Sequence, residues 1–240
     1  MRVALMAYNR PDALRRTLES WSKVDRTDVE FYIHIDGPNA ELHAIAAEFT
    51  PNVITQDRNR GSEMHAWFVF NKSFDEDGVD YCVLAQDDVE VTTDVLDYFR
   101  YCDEQFRDHQ DVLLASSGGA SREHDLSMYY QVDLARTFSS TIWATWPDRW
   151  TQWLKDYWWG SARPRTMGAD IWIDHRVMPL NHLRATVARW GRGKPFGLGT
   201  HITDEALLAA HQPNPWAGDV TPPADVNWFV VENNEDPYHG

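Results

Sequence analysis

Residues 83–90, VLAQDDVE, set an apolar run directly against two adjacent carboxylates, Asp87 and Asp88. The apolar residues are typical of a buried strand, and the acidic pair marks its carboxyl end. Adjacent carboxylates repel each other unless a cation or hydroxyl groups neutralise them. At a strand end that faces a crevice they form a hard-oxygen site for Mg²⁺ or Mn²⁺, which can hold a diphosphate. The alternative for the pair alone is a solvated turn between a strand and a helix.

Strand and helix patterns alternate over about the first 115 residues, which predicts an α/β fold with a mostly parallel, doubly wound sheet. Such sheets bind ligands at the carboxyl ends of their strands. The predicted strands are 3–7, 29–35, 52–55, 81–85 and 112–116; the predicted helices are one beginning at Pro11, 40–49, one capped by Ser62 that runs to about Phe74, and one capped by Thr93. Polar side chains follow the ends of these strands, and together they predict one binding crevice. They are Tyr8, Arg10, Asp36, Asn59, Arg60, Asp87 and Asp88.

The composition of the chain excludes several classes of function. The 240 residues are 43% hydrophobic and 25% charged, as in an ordinary globular domain. A formal net charge of −15 disfavours broad binding to nucleic acid or to anionic lipid. Cys82 and Cys102 imply no disulfide framework, and we expect buried, reduced thiols. No apolar run is long enough to span a membrane or to serve as a signal peptide, so we expect a cytoplasmic protein without a membrane partner.

The second half is less regular and rich in tryptophan, of which the chain has 12. We expect a helix from Pro147 to about Tyr157, whose face of Trp146, Trp150, Trp153 and Tyr157 packs against the sheet. The tryptophans that fall outside that face are candidates for stacking on a sugar ring: Trp143, Trp158, Trp159 and Trp172. Further expected elements are a helix over 168–180, a basic glycine-rich loop over 189–199, a helix over 203–210 and an irregular tail from Gln212.

Residues 59–99 resemble GT-A glycosyltransferases. Asn59-Arg60-Gly61, the stretch 79–91 and the following Asp94-x-x-x-Tyr98-Phe99 look like N-acetylglucosaminyltransferase I, which has Glu-Asp-Asp-Leu-Glu-Val before an Asp-x-x-x-Tyr-Phe helix. The resemblance implies that Asp88 ligates Mn²⁺ and that Asp87 contacts the donor sugar or ribose. Gln86 replaces the glutamate of that family.

The amino-terminal residues 7–11, AYNRP, are similar to the opening of many GT-A enzymes. The resemblance implies that Tyr8, Arg10 and Asp36 embrace the nucleotide base. Asn59 and Arg60 belong to the same donor-binding set.

Residues 142–150, IWATWPDRW, are similar to bacterial family 2-like glycosyltransferases, and looser matches follow at 168–172 and 197–203. This resemblance implies that Asp170 is the catalytic base, with Asp174 in reserve, and that His201 completes the metal shell or binds the diphosphate. The alternative for Asp170 and Asp174 is a surface helix with an ion pair to Arg176 or Arg163.

Three basic side chains lie in the glycine-rich loop of an otherwise acidic chain: Arg189, Arg192 and Lys194. A flexible basic loop beside a metal suits closure over a diphosphate. The alternative is a solvated surface loop.

These observations lead to one prediction, a single GT-A catalytic domain over 1–240. Residues 1–115 bind the nucleotide-sugar, and residues 116–240 bind the acceptor and carry catalysis. The predicted reaction is an inverting, Mn²⁺- or Mg²⁺-dependent transfer from a UDP-sugar, with a lean to UDP-GlcNAc, to a hydroxyl of a glycan, protein or small molecule. The alternatives are a non-catalytic carbohydrate-binding module and a nucleotidyltransferase; a DNA-modifying sugar transferase is disfavoured by the net charge.

Overall fold

The computed structural model describes residues 1–117, 129–135, 141–155, 184–188, 193–195 and 228–232. The strands are β1 (Arg2–Ala7), β2 (Glu30–Ile35), β3 (Val53–Thr55), β4 (Cys82–Gln86), β5 (Val89–Val91), β6 (Val112–Ser116), β7 (Gln131–Ala135), β8 (Ile142–Thr145), β9 (Arg184–Ala188), β10 (Gly193–Pro195) and β11 (Phe229–Glu232). The helices are α1 (Pro11–Trp21), α2 (Ala40–Phe49), α3 (Ser62–Asn71), α4 (Val95–Phe106) and α5 (Pro147–Arg149). Single π-helical turns extend α3 over Lys72–Glu76 and α5 over Trp150–Leu154.

In the described residues, nine strands form one sheet in the order β11-β7-β9-β6-β8-β4-β1-β2-β3. β1 pairs parallel with both β2 and β4, and β2 pairs parallel with β3. The carboxyl ends of these four strands therefore lie along one edge. β8 runs antiparallel between β4 and β6. The predicted α/β class with a mostly parallel sheet is confirmed.

Both faces of the sheet are covered by helices. Along β1, Val3 and Leu5 pack with buried residues of α1, α2 and α4, whereas Ala4 and Met6 pack with those of α3 and α5. The alternation follows from the two-residue period of a strand. The predicted inward residues of α1 and α4 are all buried: Leu14, Leu18, Trp21, Val95, Phe99, Cys102 and Phe106. Both cysteines are buried and free, as predicted.

Several local predictions are wrong. Gly61, and not Ser62, is the N-cap of α3, and α4 begins after Asp94 without a cap from Thr93. Trp143 is fully buried on β8, with its ring 4.8 Å from that of Phe70, so it cannot stack on a sugar.

Two segments expected to be irregular contain strands. β11 lies in the tail after Gln212 and pairs with β7, and β10 lies in the basic loop and pairs with β5. Their hydrogen-bond partners come from remote parts of the chain, so local pattern could not reveal them. Tyr157, Trp158, Trp159, Trp172 and the predicted helices 168–180 and 203–210 lie outside the described residues. None of the helices in the described ranges has the length and apolarity needed to cross a membrane.

Arg149 links α5 to the end of α4. Its side chain is fully buried, and its Nη2 donates to the carbonyls of Phe106, Arg107 and His109 at 3.3, 2.8 and 2.9 Å. The carbonyls of Phe106 and Arg107 lie at the carboxyl-terminal end of α4, where intrahelical donors run out, and that of His109 lies in the turn after it. Phe106 and His109 also accept from the backbone N–H groups of His109 and Val112, so the guanidinium is their second donor. One guanidinium therefore closes α4 and joins it to the segment after β8.

Replacing Arg149 with methionine keeps the apolar stem and removes the donors. Since the carbonyl of Arg107 then loses the guanidinium donor and those of Phe106 and His109 keep only their backbone donors, we expect the free energy of unfolding to fall by about 2 kcal/mol. Denaturant unfolding monitored by circular dichroism measures the change. Arg107→Gln, which removes an exposed ion pair with Asp103, is the matched control and should change stability by less than about 1 kcal/mol. Equal effects of the two substitutions would contradict this assignment.

A pair of buried histidines lies between β2 and α3. The His34 and His65 rings are 6.3 Å apart, and neither ring nitrogen of His34 has a hydrogen-bond partner. Burial lowers the pKa of His34 to about 3 and the pKa of His65 to about 4. Both rings are therefore neutral in the folded protein at any pH above these values.

This pair makes stability fall with acidification. Below the ordinary histidine pKa of about 6.5, the unfolded chain binds protons at these two residues whereas the folded chain does not. Each histidine therefore lowers the free energy of unfolding by about 1.4 kcal/mol per pH unit, down to its pKa in the folded protein. We expect His34→Leu to remove about half of that histidine-dependent slope between pH 6.5 and 5. Unfolding free energies at pH 7.5, 6 and 5 test this, and an unchanged slope in the variant would refute it.

Candidate active site

Polar side chains gather where β1, β2 and β4 end. Asp87 and Asp88 directly follow β4, Tyr8 and Arg10 follow β1, and Asp36 follows β2. The three carboxylates are buried, with exposed fractions of 2%, 7% and 3% respectively. The parallel pairing of the strands brings these residues together as the sequence predicted.

Arg10 joins the two adjacent carboxylates. Its Nη2 donates to Asp87 Oδ1, and its Nη1 donates to Asp88 Oδ2 at 2.7 Å. The Arg10 side chain itself is 40% exposed. The planar guanidinium fork thus holds both carboxylates from the solvent side.

Burial raises the pKa of Asp87, and the adjacent Asp88 raises it further, while Arg10 opposes both effects. The second oxygen of Asp87 accepts from the backbone N–H of Tyr8 at 3.2 Å. Of the four carboxylate oxygens of Asp87 and Asp88, Asp88 Oδ1 alone has no hydrogen-bond partner, although the atom is buried. A buried, unpartnered carboxylate oxygen at this edge is an open ligand position for a cation.

Helix α1 braces the segment that carries the two aspartates. Thr17 Oγ1 donates to the carbonyl of Asp87 at 2.8 Å, and Ser20 Oγ accepts from the N–H of Val91 at 3.1 Å. Arg16 forms an ion pair with Glu90 at 2.6 Å. Our sequence reasoning missed these residues. The available signal was Thr17, a hydroxyl on the otherwise apolar face of α1.

Asp36 organises the loop before α3. Its two carboxylate oxygens accept from the backbone N–H groups of Arg60 and Gly61 at 2.8 and 2.9 Å. Gly37 has φ +100°, and a Cβ at that position would lie 2.9 Å from the backbone nitrogen of Asn59. The carboxyl end of β2 and residues 59–61 therefore form one tightly packed wall of the crevice.

The remaining predicted donor-binding side chains point in different directions. Arg60 pairs with Asp57 at 2.6 Å and lies over the ring of Phe68, so its guanidinium follows α3. Asn59 accepts from the N–H of Gly61 at 2.7 Å. Tyr8 is 45% exposed, an unusual state for a large aromatic residue beside a buried site.

Strand β10 brings the basic loop beside the aspartates. Lys194 is the register partner of Glu90, and Pro195 is that of Val89, the residue after Asp88. Residues 193–195 of the predicted phosphate-binding loop therefore pair with the three residues that follow the acidic pair. The other predicted residues of the second half lie outside the described residues: Asp170, Asp174, Arg189, Arg192 and His201.

The described residues can hold a divalent ion only in part. No group of three or more histidine, cysteine or acidic side chains converges among them in a way that could bind a metal. Asp88 Oδ1 fits one hard-oxygen ligand position, so most of the shell would come from a bound ligand or from residues elsewhere in the chain.

No protein-family model and no curated protein sequence matches this chain. Solved structures do match, among them the mannosyltransferase PcManGT from Pyrobaculum calidifontis in complex with GDP-Man and Mn²⁺, at 13% identity and a TM-score of 0.45 over 60% of this chain and 43% of that one. The galactosyltransferase LgtC matches at 16% identity and a TM-score of 0.46, over 78% of this chain and 72% of that one. Glucosyl-3-phosphoglycerate synthase from Mycobacterium tuberculosis, in complex with Mn²⁺ and UDP, matches at 13% identity and a TM-score of 0.45, over 61% of this chain and 56% of that one.

These structures are glycosyltransferases of the GT-A type, the class whose sequence pattern this chain resembles. The chain spans about half of the length of the mannosyltransferase and of the synthase.

Replacing Asp36 with asparagine tests its role in the crevice wall. Since an amide nitrogen cannot accept, one of the two N–H groups loses its contact with residue 36, and only that of Gly61 has a second acceptor, Asn59. We expect a loss of about 1 kcal/mol in unfolding free energy together with faster exchange of the Arg60 or Gly61 amide hydrogen. Hydrogen-exchange NMR and denaturant unfolding measure both. Asp57→Asn, at a 72% exposed carboxylate of the same loop, is the control. Comparable exchange in the two variants would contradict the role.

Proposed function

We propose that the protein is a metal-dependent GT-A glycosyltransferase that transfers a sugar from a nucleotide-sugar to an acceptor hydroxyl with inversion. The observation that carries the proposal is the buried and unpartnered Asp88 Oδ1, next to a carboxylate pair at the carboxyl edge of the parallel strands. A plain solvated turn would expose both carboxylates to water, whereas here they are buried and organised by Arg10 and Tyr8. The resemblance of residues 59–99 to GT-A enzymes agrees with this arrangement.

The first part of the chain, residues 1–115, would bind the donor. The exposed ring of Tyr8 offers a stacking surface for the nucleotide base, and the wall formed by Asp36 and residues 59–61 bounds the same end of the crevice. Asp87, which the Tyr8 N–H contacts, would accept hydrogen bonds from donor hydroxyls. We propose a UDP-sugar as the donor, with UDP-GlcNAc as the first candidate.

Asp88 would hold Mn²⁺ or Mg²⁺, with His201 as the second protein ligand. When bound, the ion neutralises the diphosphate as it leaves. Because β10 is paired with β5, the backbone of Lys194 lies beside the segment that follows Asp88. We propose that Arg189, Arg192 and Lys194 contact the same diphosphate.

Residues 116–240 would bind the acceptor and complete the reaction. We propose Asp170 as the base that takes the proton of the acceptor hydroxyl while that oxygen attacks the anomeric carbon, with Asp174 as the alternative base. The bond from the anomeric carbon to the diphosphate oxygen breaks as the new glycosidic bond forms. The acceptor is a glycan, a protein or a small molecule.

The test is calorimetric binding of UDP-, GDP- and dTDP-sugars, with Mn²⁺ or with EDTA, together with nucleotide release from each donor. We expect one class of donor to bind in a Mn²⁺-dependent manner. Asp88→Asn should weaken that binding at least about tenfold, because an amide is a poor ligand for a hard cation.

Asp97→Asn is the matched control for this experiment, since Asp97 is an exposed carboxylate that pairs with Arg100 on α4. It should leave donor binding unchanged. Sugar binding that is insensitive to both EDTA and Asp88→Asn would contradict the proposal and favour a non-catalytic carbohydrate-binding module.

A further inference from the structure

The acidic pair has a cationic partner within the chain. Two carboxylates in succession, both at least nine-tenths buried, contact one guanidinium that is itself 40% exposed. Arg10 is the residue before α1, and its backbone is not helical, with φ −121° and ψ 76°. The side chain therefore extends from a loop at the mouth of the crevice and not from a rigid helical turn.

We infer that Arg10 is a displaceable counter-cation, which occupies the Asp87–Asp88 pair in the donor-free protein and competes there with the divalent ion. The inference rests on the proposed function, since it concerns how the same site takes up its metal. It gives Arg10 a role different from the base contact implied by the sequence resemblance.

Electrostatics supports the competition. The open ligand atom, Asp88 Oδ1, belongs to the same carboxylate whose Oδ2 accepts from Arg10 at 2.7 Å. A divalent ion on Oδ1 would lie within a few ångströms of the guanidinium, and two cations at that distance repel strongly at a buried site. The protein with Arg10 in place should thus bind the free ion weakly.

A diphosphate changes this balance. Its oxygens are good partners for a guanidinium, so the anion offers Arg10 a new position while it also supplies ligands to the metal. Metal and nucleotide would then bind cooperatively, each raising the affinity for the other by the same factor. Arg10 would prevent the site from holding a divalent ion before the donor arrives.

The chain provides a matched control for this effect. Arg15 lies on the same helix α1 and forms an exposed ion pair with Glu48 on α2. Removing Arg15 deletes the same charge from α1 without disturbing the segment that carries the two aspartates. Comparing the two variants therefore separates direct competition by Arg10 from a general change in the electrostatic potential near the site.

The experiment measures Mn²⁺ binding alone, by the loss of the free-ion signal in electron paramagnetic resonance. We expect Arg10→Gln to bind Mn²⁺ at least about tenfold more tightly than the unsubstituted protein, and Arg15→Gln to change the affinity by no more than about twofold. UDP should strengthen Mn²⁺ binding to the unsubstituted protein more than to Arg10→Gln. The double variant Arg10→Gln/Asp88→Asn should lose the gain, which places the ion at Asp88.

Arg10→Gln also leaves two buried carboxylates without a cation, so its folding is followed in parallel. Mn²⁺ should raise the Tm of Arg10→Gln more than that of the unsubstituted protein. Arg10→Lys is the second variant: one ammonium cannot bind both carboxylates as the fork does, so its Mn²⁺ affinity should lie between the other two.

Mn²⁺ binding to Arg10→Gln that is no tighter than to the unsubstituted protein, or a gain matched by Arg15→Gln, would overturn the inference. Failure of the proposed function has a different signature. In that case neither protein binds any nucleotide-sugar with or without Mn²⁺, while the tighter Mn²⁺ binding of Arg10→Gln remains.

Discussion

Two adjacent buried carboxylates must be neutralised if the crevice is to exist, and the surrounding structure is arranged to do so. Burial raises the pKa of Asp87, and Asp88 adds repulsion, so the pair depends on a positive partner. Arg10 supplies the charge, and the N–H of Tyr8 supplies a further donor. Both residues come from the loop after β1, which the parallel pairing of β1 with β4 places beside the pair.

The same requirement explains the role of α1. Pro11 at its first turn sets the helix directly after Arg10, and the helix then runs back along the segment after β4. Thr17, Arg16 and Ser20 bind that segment at successive points. Position, charge and backbone hydrogen bonds at the acidic pair are therefore all supplied by one continuous stretch of sequence from β1 through α1.

Much of the nucleotide-binding half could be predicted because its signals are local. Helix α2 and strand β6 have the predicted bounds, and the inward faces of α1 and α4 are as expected. The acidic pair, Arg10 and Asp36 were predicted to lie at strand ends on one edge of the sheet, and the structure has them there. The predictions failed where distant segments decide the outcome. Trp143, on β8, is covered by Phe70 of α3, and β11 forms only because β7 is its partner. The residues before α3 are held by Asp36 and not by a cap from Ser62.

The sequence by itself determined the alternation of strands and helices, the faces that are buried and the edge at which the polar residues collect, because periodicity and strand ends are local properties. Only the tertiary structure decided what those polar residues do to one another. It directs the Arg10 fork onto both aspartates, engages both oxygens of Asp36 in the loop before α3, and leaves Asp88 Oδ1 buried and without a partner. These outcomes depend on which strands become neighbours, since hydrogen bonds and ion pairs act over a few ångströms, whereas the residues they join at this site lie up to 79 positions apart in the sequence.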